Sequence, residues 1–129
     1  LGFWTLPAGF MENHETVAEA AARETREEAC AEALDLALYT VFSLPHINQV
    51  YFLFRARSAD GSASPGAESL EVGWFDANDI PWAELAFPMI REGLRLYLAD
   101  RERGHHPVRT GEIRRRADGG YCVHEEVVG

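Results

Sequence analysis

Three glutamates near the start of the chain, Glu24, Glu27 and Glu28, constrain the fold more than any other feature of the sequence. They stand at positions i, i+3 and i+4, which on an α-helix project from one face within about one turn. Three like charges this close together are unfavourable in isolation. A hard divalent cation converts the repulsion into a binding site, because magnesium is held by carboxylates, water and substrate phosphates. The spacing therefore predicts a helix that carries a metal-binding face.

The three glutamates are part of a longer pattern, G-x5-E-x7-R-E-x-x-E-E, which runs from Gly9 through Glu15 and Arg23 to Glu28. This pattern resembles the Nudix box, the signature of the Nudix hydrolase family. The charged positions match completely, whereas the small and apolar positions of the family motif match only loosely. The alternative explanation of the glutamate cluster is a solvated acidic face on a surface helix.

The resemblance implies an α+β fold, a Nudix-type α/β/α sandwich around a mixed sheet. We expect a Nudix domain over residues 1–103 and a C-terminal tail over 104–129, which forms either a hairpin around Asp118 to Gly120 or a disordered segment. In the family, two or more strands precede the box. Because the box here begins at residue 9, we expect a domain truncated at its N-terminus that lacks those strands.

Hydrophobic patterning predicts the individual elements. The strand expected over Gln49–Arg57 is apolar on both faces at its start, so we expect it in the middle of the sheet. The expected helices are Thr16–Ala31 and Phe87–Arg103, and the expected strands are 1–6, Leu36–Leu44, Gln49–Arg57 and Ser69–Phe75.

Cys30 departs from the family motif, which has glycine at this position. That glycine normally ends the box helix in a left-handed conformation, which costs any other residue about 1 kcal/mol. We expect Cys30 to perturb local stability more than metal binding.

The resemblance also implies a role for each residue of the box. Glu24 and Glu28 are metal ligands, and Glu27 is a ligand or the general base, so that Glu27 and Glu28 are assigned to catalysis. The main-chain carbonyl of Ala8 or Gly9 is a further metal contact. The implied cofactor is Mg²⁺ or Mn²⁺.

Two more groups are expected around these ligands. Glu15 and Arg23 are implied to be structural, orienting the loop and the carboxylates; the alternative for Arg23 is a surface ion pair. Glu68, in the segment ESLEVGWF, is assigned to the metal and to catalysis from a loop outside the box, with Glu71 as the fallback.

Substrate contacts are expected from the segment FSLPHINQ and from the C-terminal helix. His46, Asn48 and Gln49 are assigned to ribose or base edges, with a hydrogen-bonded turn as the alternative. Phe42 and Ile90 complete the substrate-binding set, and for Phe42 the alternative is packing in the core.

The resemblance implies metal-dependent hydrolysis of the pyrophosphate bond in a nucleoside diphosphate linked to another group. The NADH pyrophosphatase motif is absent, and the stretches LPAGFMEN, LPHINQVY and IPWAELAF are similar to a group linked to ADP-ribose and FAD, which carries a zinc ribbon ahead of the domain. The alternative function is a sensor domain that binds ADP-ribose or another nucleotide without cleaving it.

Composition narrows the range of partners. The chain has 129 residues and a net charge of −9, which argues against a general surface for nucleic acid or acidic membranes. No apolar run reaches membrane-spanning length, and the two cysteines form no disulfide framework, so we expect a cytoplasmic protein. The expected partner is a small nucleotide substrate. Many members of the family pair, so a homodimer is one expected assembly state beside a monomer.

Overall fold

The computed structural model describes residues 6, 8–59 and 77–129. Neither of its two α-helices combines the length and the apolar character needed to cross a membrane. The chain divides into two units. The α1 unit comprises Leu6–Ala37 and the described part of Phe54–Ile80, and the sheet unit comprises Leu38–Leu53 and Pro81–Gly129. The elements of the chain are, in order, α1 (Val17–Ala29), β1 (Ala33–Leu44), β2 (Gln49–Ser58), α2 (Pro88–Arg103), β3 (Arg109–Arg115) and β4 (Tyr121–Val127), with short 3₁₀ turns at Pro45–Ile47, Ala77–Asp79 and Trp82–Glu84.

The predicted box helix is confirmed as α1, and its two ends have local causes. At the start, Thr16 Oγ1 accepts from the Glu19 amide at 3.1 Å, and Glu19 Oε1 accepts from the Thr16 amide at 2.9 Å. This reciprocal capping box satisfies two amides that the first turn leaves unpaired. At the end, Cys30 adopts φ 51° and ψ 36°, and its amide donates to Arg26 O at 3.0 Å. The left-handed helix end expected at Cys30 is therefore present.

The described strands form one mixed sheet in the order β2-β1-β3-β4, in agreement with the expected fold class. β1 and β3 are parallel, with Thr40 beside Arg109, and β3 and β4 are antiparallel. Among the described strands β2 stands at one end of the order, where a central position was expected. The reason lies in its side chains: Val50 and Phe52 are exposed, so β2 is buried on one face only. The strand expected at Ser69–Phe75 and most of the segment expected as a strand over 1–6 lie outside the described residues.

The C-terminal segment forms a hairpin that is part of the sheet. α2 ends at Gly104, which has φ 72°, and β3 and β4 follow. The turn between them closes with Arg116 N donating to Gly120 O at 2.8 Å, and Gly119 supplies the positive φ of 88° that such a turn requires. Of the two options for the tail, the structure contains the hairpin, and β3 pairs with β1 in the same unit as α2.

The hydrophobic core of the sheet unit lies between its strands and α2. Gly93 of α2 faces Leu53 of β2 so closely that a Cβ at Gly93 would lie 2.4 Å from Leu53 Cδ1. A side chain at this position would require the Leu53 side chain to move. The buried core residues are Tyr39, Phe42, Leu44, Met89, Ile90, Leu96 and Ile113.

A buried polar triad ties three elements of the sheet unit together. Arg109 of β3 donates from Nη2 to Asp100 Oδ1 at 2.8 Å, and Tyr39 of β1 donates its hydroxyl to Asp100 Oδ2 at 2.5 Å. The side chain of Asp100, which lies on α2, is 1% exposed and that of Arg109 is 8% exposed. The hydrogen bonds from Arg109 lower the pKa of Asp100 to about 2, against the opposing effect of burial. Asp100 is therefore ionised, and its charge is compensated inside the protein.

We expect Asp100→Asn to lower the free energy of unfolding by about 3 kcal/mol at pH 7, because it leaves the buried Arg109 guanidinium without its counter-charge. Since the pKa of Asp100 is depressed in the folded state, its contribution is complete above the ordinary value near 4 and is lost as pH falls towards 2. The difference between wild type and variant in urea unfolding should therefore shrink between pH 5 and pH 2. The matched control is Asp118→Asn, at an exposed ion pair with Arg116, which should cost less than about 1 kcal/mol. Equal losses in the two variants would contradict the assignment.

Cys30→Gly should raise the stability of the chain by about 1 kcal/mol, because glycine adopts the left-handed conformation of the helix end without strain. The measurement is the urea midpoint under reducing conditions. Cys122→Gly is the control: this exposed position lies within β4, where glycine weakens a strand. A decrease in stability for Cys30→Gly would show that the helix end is not strained.

Candidate functional site

Glu24 and Glu28, one turn apart on α1, both reach the loop that precedes the helix. Glu28 Oε2 accepts from the Ala8 amide at 2.9 Å. The Glu24 carboxylate lies against Gly9, where an added Cβ would come within 2.3 Å of Glu24 Oε1. Two of the predicted metal ligands therefore converge on the two loop residues whose carbonyls were predicted as further contacts.

The absence of a side chain at Gly9 leaves room for the Glu24 carboxylate. A methyl group in place of its hydrogen would overlap three atoms of the Glu24 carboxyl group, at 2.3 to 2.5 Å. The loop can approach the carboxylate this closely only because residue 9 has no side chain.

Arg23 holds the remaining acids of the motif around its planar guanidinium group. Its Nε donates to Glu15 Oε2 at 2.8 Å, and its Nη1 donates to Glu24 Oε1 at 2.7 Å and to Glu27 Oε2 at 3.0 Å. Its Nη2 donates to the carbonyl of Phe10 at 2.8 Å. A single side chain thus connects two turns of α1, the segment before the helix and the loop, in a fork geometry that lysine cannot reproduce.

We call Arg23 and the groups that accept from it the Arg23 hub. The pair of Arg23 and Glu15 determines the charge states in this hub. The hydrogen bond to Arg23 and then that from the Glu12 amide lower the pKa of Glu15, and the hydrogen bond to Glu15 raises the pKa of Arg23. Both groups are therefore charged at neutral pH. The expected structural role of Glu15 and Arg23 corresponds to these contacts.

Glu27 differs from Glu24 in its exposure. Its side chain is 55% exposed, whereas that of Glu24 is 14% exposed, although both accept from Arg23 Nη1. Glu27 therefore lies at the rim of the cluster, where a carboxylate is accessible to water.

The donors at the loop fit a hard divalent cation in their chemistry, since carboxylate and carbonyl oxygens are the ligands that magnesium prefers. Within residues 8–59 and 77–129, no three acidic, histidine or cysteine side chains stand together in a metal-binding group. The convergence on the loop thus involves two carboxylates, Glu24 and Glu28, with Glu27 turned to Arg23. Glu68 and its fallback Glu71 lie outside the described residues.

The residues predicted to bind substrate fall into two groups, both in the sheet unit. His46 and Asn48 are exposed in the turn between β1 and β2, and Gln49 is half-buried, with its Oε1 accepting from the Tyr51 hydroxyl at 2.8 Å. Phe42 is 0% exposed and Ile90 is 3% exposed. The second group is therefore packed in the core, so its burial has a structural explanation without a ligand.

An open cavity of about 490 Å³ lies at the start of α1, lined by residues that include His14, Glu15, Arg23 and Arg26. Glu24, Glu27 and Glu28 do not line it. The cavity is therefore distinct from the place where the carboxylates meet the loop.

Sequence reasoning missed two contacts of the hub. The Phe10 carbonyl accepts from Arg23, and the Glu12 amide donates to Glu15 Oε1 at 2.9 Å. Both are main-chain groups, which carry no signature in a side-chain pattern.

Comparisons with known proteins point to one family. A sequence model described as "NUDIX domain" matches residues 1–97. The human 8-oxo-dGDP phosphatase NUDT18 is 34% identical over 113 residues, which cover 83% of this chain and 34% of that protein. An ADP-ribose pyrophosphatase of Methanocaldococcus jannaschii is 34% identical over 92 residues, covering 67% of this chain and 52% of that protein. This chain thus spans about a third and about half of the length of these two relatives.

A solved structure is also similar. The crystal structure of a NUDIX hydrolase from Nitrosomonas europaea superposes with a TM-score of 0.82 at 50% sequence identity, covering 87% of this chain and 64% of that one.

We expect Arg23→Lys to lower the free energy of unfolding by clearly more than a replacement at an exposed arginine does, because an ammonium group cannot donate in a fork to Glu15, Glu24 and the loop at once. Arg26→Lys is the matched control on the same helix. Arg26 is 49% exposed and lies 3.9 Å from Glu32, so its replacement should cost less than about 0.5 kcal/mol. Urea unfolding at pH 7 measures both variants. A loss of stability in Arg23→Lys no larger than that in Arg26→Lys would show that the contacts of Arg23 do not hold the site together.

Proposed function

This chain belongs to the Nudix hydrolase family, and from that premise we propose that it hydrolyses the pyrophosphate bond of a nucleoside diphosphate linked to another group. ADP-ribose, FAD or a related dinucleotide is the proposed substrate. The names of two relatives, an ADP-ribose pyrophosphatase and an 8-oxo-dGDP phosphatase, support a diphosphate-bearing nucleotide.

The observation that carries the proposal is the convergence of Glu24 and Glu28 on the loop at Ala8 and Gly9. An acidic surface helix has no reason to direct two carboxylates, one of them 14% exposed, against the same two loop residues. Solvation favours the opposite arrangement, in which like charges spread into water. The arrangement is the one expected where oxygen ligands must meet at one point.

Magnesium or manganese is the proposed cofactor, held by Glu24, Glu28 and a carbonyl of Ala8 or Gly9, with Glu68 as a further proposed ligand. A cation bound there would supply the positive charge that neutralises phosphoryl oxygens and makes water more acidic. The two carboxylates are presented to it by consecutive turns of a capped helix, so little ordering remains to be done when it binds.

The other residues act by position. Arg23 positions the Glu24 carboxylate through a hydrogen bond from its Nη1 to Glu24 Oε1 of 2.7 Å. Glu27, at the exposed rim, is proposed as a further ligand or as the base that takes the proton of the attacking water. His46, Asn48 and Gln49 are proposed contacts for the ribose or the base, since they present polar groups at the turn between β1 and β2.

Glu28→Gln should lower magnesium-dependent turnover of ADP-ribose at least about a hundredfold, equivalent to about 2.7 kcal/mol in the barrier, because an amide is a poor ligand for a hard cation. The amide oxygen of glutamine still accepts from the Ala8 amide, so the melting temperature should stay close to that of wild type. The control is Glu32→Gln, just after the helix, where the side chain is 60% exposed. Products are resolved by chromatography at saturating magnesium or manganese.

The same samples separate an enzyme from a sensor. Calorimetry with ADP-ribose followed by product analysis should show AMP and ribose 5-phosphate for wild type. Binding without products would favour the sensor, and unchanged turnover in Glu28→Gln would exclude the proposed metal site.

A further inference from the structure

One end of the sheet unit carries an exposed group of aromatic and cationic side chains, of which His46 alone is also a proposed substrate contact. It consists of Arg115 at the end of β3, Tyr121 at the start of β4 and His46 in the turn after β1, and we call it the sheet-end surface. The His46 and Tyr121 rings lie 5.8 Å apart between centroids at 50°, and the Arg115 guanidinium lies 6.0 Å from the centre of the Tyr121 ring. Tyr121 is 37% exposed.

The register of the hairpin places two of these side chains on one face. Arg115 is the cross-strand partner of Tyr121, and directly opposed residues of an antiparallel pair share a face. The same face of β3 carries Ile113 and Arg109, which lie in the core and at the buried triad beside α2. Arg114 alternates to the opposite face. The consecutive arginines Arg114, Arg115 and Arg116 therefore do not share one face. Of the three, Arg115 lies beside the exposed Tyr121 ring.

The charges of the run are divided in the same way. Arg114 donates to Glu112 at 3.0 Å and Arg116 donates to Asp118 at 3.3 Å. Arg115 forms no ion pair with any residue in the described part of the chain. Its guanidinium group lies over the Tyr121 ring instead. An exposed guanidinium whose recorded neighbour is the Tyr121 ring keeps N–H donors for an anion.

No acidic side chain of the hairpin competes on this face near Arg115. The first acid along β4 on the same face as Tyr121 is Glu125, which is paired at the level of Gly111 and accepts from Arg95 at 3.3 Å. The turn segment from 44 to 49 contains no acid. In a chain with a net charge of −9, the sheet-end surface is locally cationic.

We propose that the sheet-end surface binds a short single-stranded nucleic-acid segment, with an unpaired base stacked on Tyr121 and His46 and the adjacent phosphate bound by Arg115. The combination of rings for bases and a cation for the backbone is the one that such surfaces use. An acidic peptide would need the cation and not the rings, and a duplex has no unstacked base to offer. The proposal shares His46 with the proposed substrate contacts but requires neither the metal site nor turnover, and it departs locally from what the net charge predicts for the whole chain.

The test uses fluorescence anisotropy of the whole chain with a fluorescein-labelled oligoadenylate RNA of about ten nucleotides, at low salt and with EDTA to prevent hydrolysis. We expect saturable binding that weakens as salt increases. Arg115→Ala and Tyr121→Ala should each weaken it about tenfold, whereas Tyr121→Phe keeps the ring and should retain binding within about twofold. Arg114→Ala is the matched control, with the same charge change one residue away on the opposite face. Thermal melts of all variants identify any loss of fold, and Tyr121→Phe and Arg114→Ala keep the test decisive if Tyr121→Ala unfolds.

Several results would overturn the proposal. They are no saturable binding by wild type at low salt, equal losses in Arg114→Ala and Arg115→Ala, and unchanged binding in Tyr121→Ala. Full displacement of the RNA by ADP-ribose at the concentration that saturates hydrolysis would instead assign the surface to the small substrate. Unchanged turnover in Glu28→Gln with RNA binding intact would overturn the proposed metal site and leave this proposal standing, so the two proposals fail separately.

Discussion

The ion pair network of Arg23 is the interaction on which the site depends. Four acceptors surround one guanidinium, and they come from the loop, from the segment before the helix and from two positions of α1. Without it, the Glu24 carboxylate and its acidic neighbours would repel each other and turn to solvent. With it, the charges of the motif are divided: Glu15 balances the arginine, and Glu24 and Glu28 face the loop at Ala8 and Gly9. The cluster is therefore held together by contacts within the chain itself.

The elements of the fold were largely predictable because each has a local cause. The box helix begins at a Thr16–Glu19 capping box and ends at Cys30, and both ends are visible in the residue order. The strands and α2 follow from apolar periodicity and from Pro88 at the first helical turn. The order of the strands was harder, because it depends on which faces are covered. β2 has an apolar start, yet Val50 and Phe52 are exposed, and no single-strand pattern distinguishes that from a central position.

The part of the candidate site that depends on the identity and spacing of side chains could be predicted from the sequence. The spacing of Glu24, Glu27 and Glu28 predicted a common helix face, and the structure separates Glu27 from the other two by its greater exposure. The contacts of Glu24 and Glu28 with the loop involve main-chain positions, which sequence patterns do not show. The prediction of Phe42 and Ile90 as substrate contacts stays a prediction, and both positions are buried in the core. For Glu68 the role also stays a prediction, since it lies outside the described residues.

The central claim is that Glu24 and Glu28 hold a divalent cation against the loop at Ala8 and Gly9. Anomalous diffraction from crystals grown with Mn²⁺ tests it most directly, since manganese can be located without reference to the protein density. The account predicts a peak within about 2.0 to 2.4 Å of carboxylate oxygens of both glutamates, a separation typical of hard cations and oxygen ligands. A peak bound elsewhere, with both carboxylates unchanged against the loop, would contradict it.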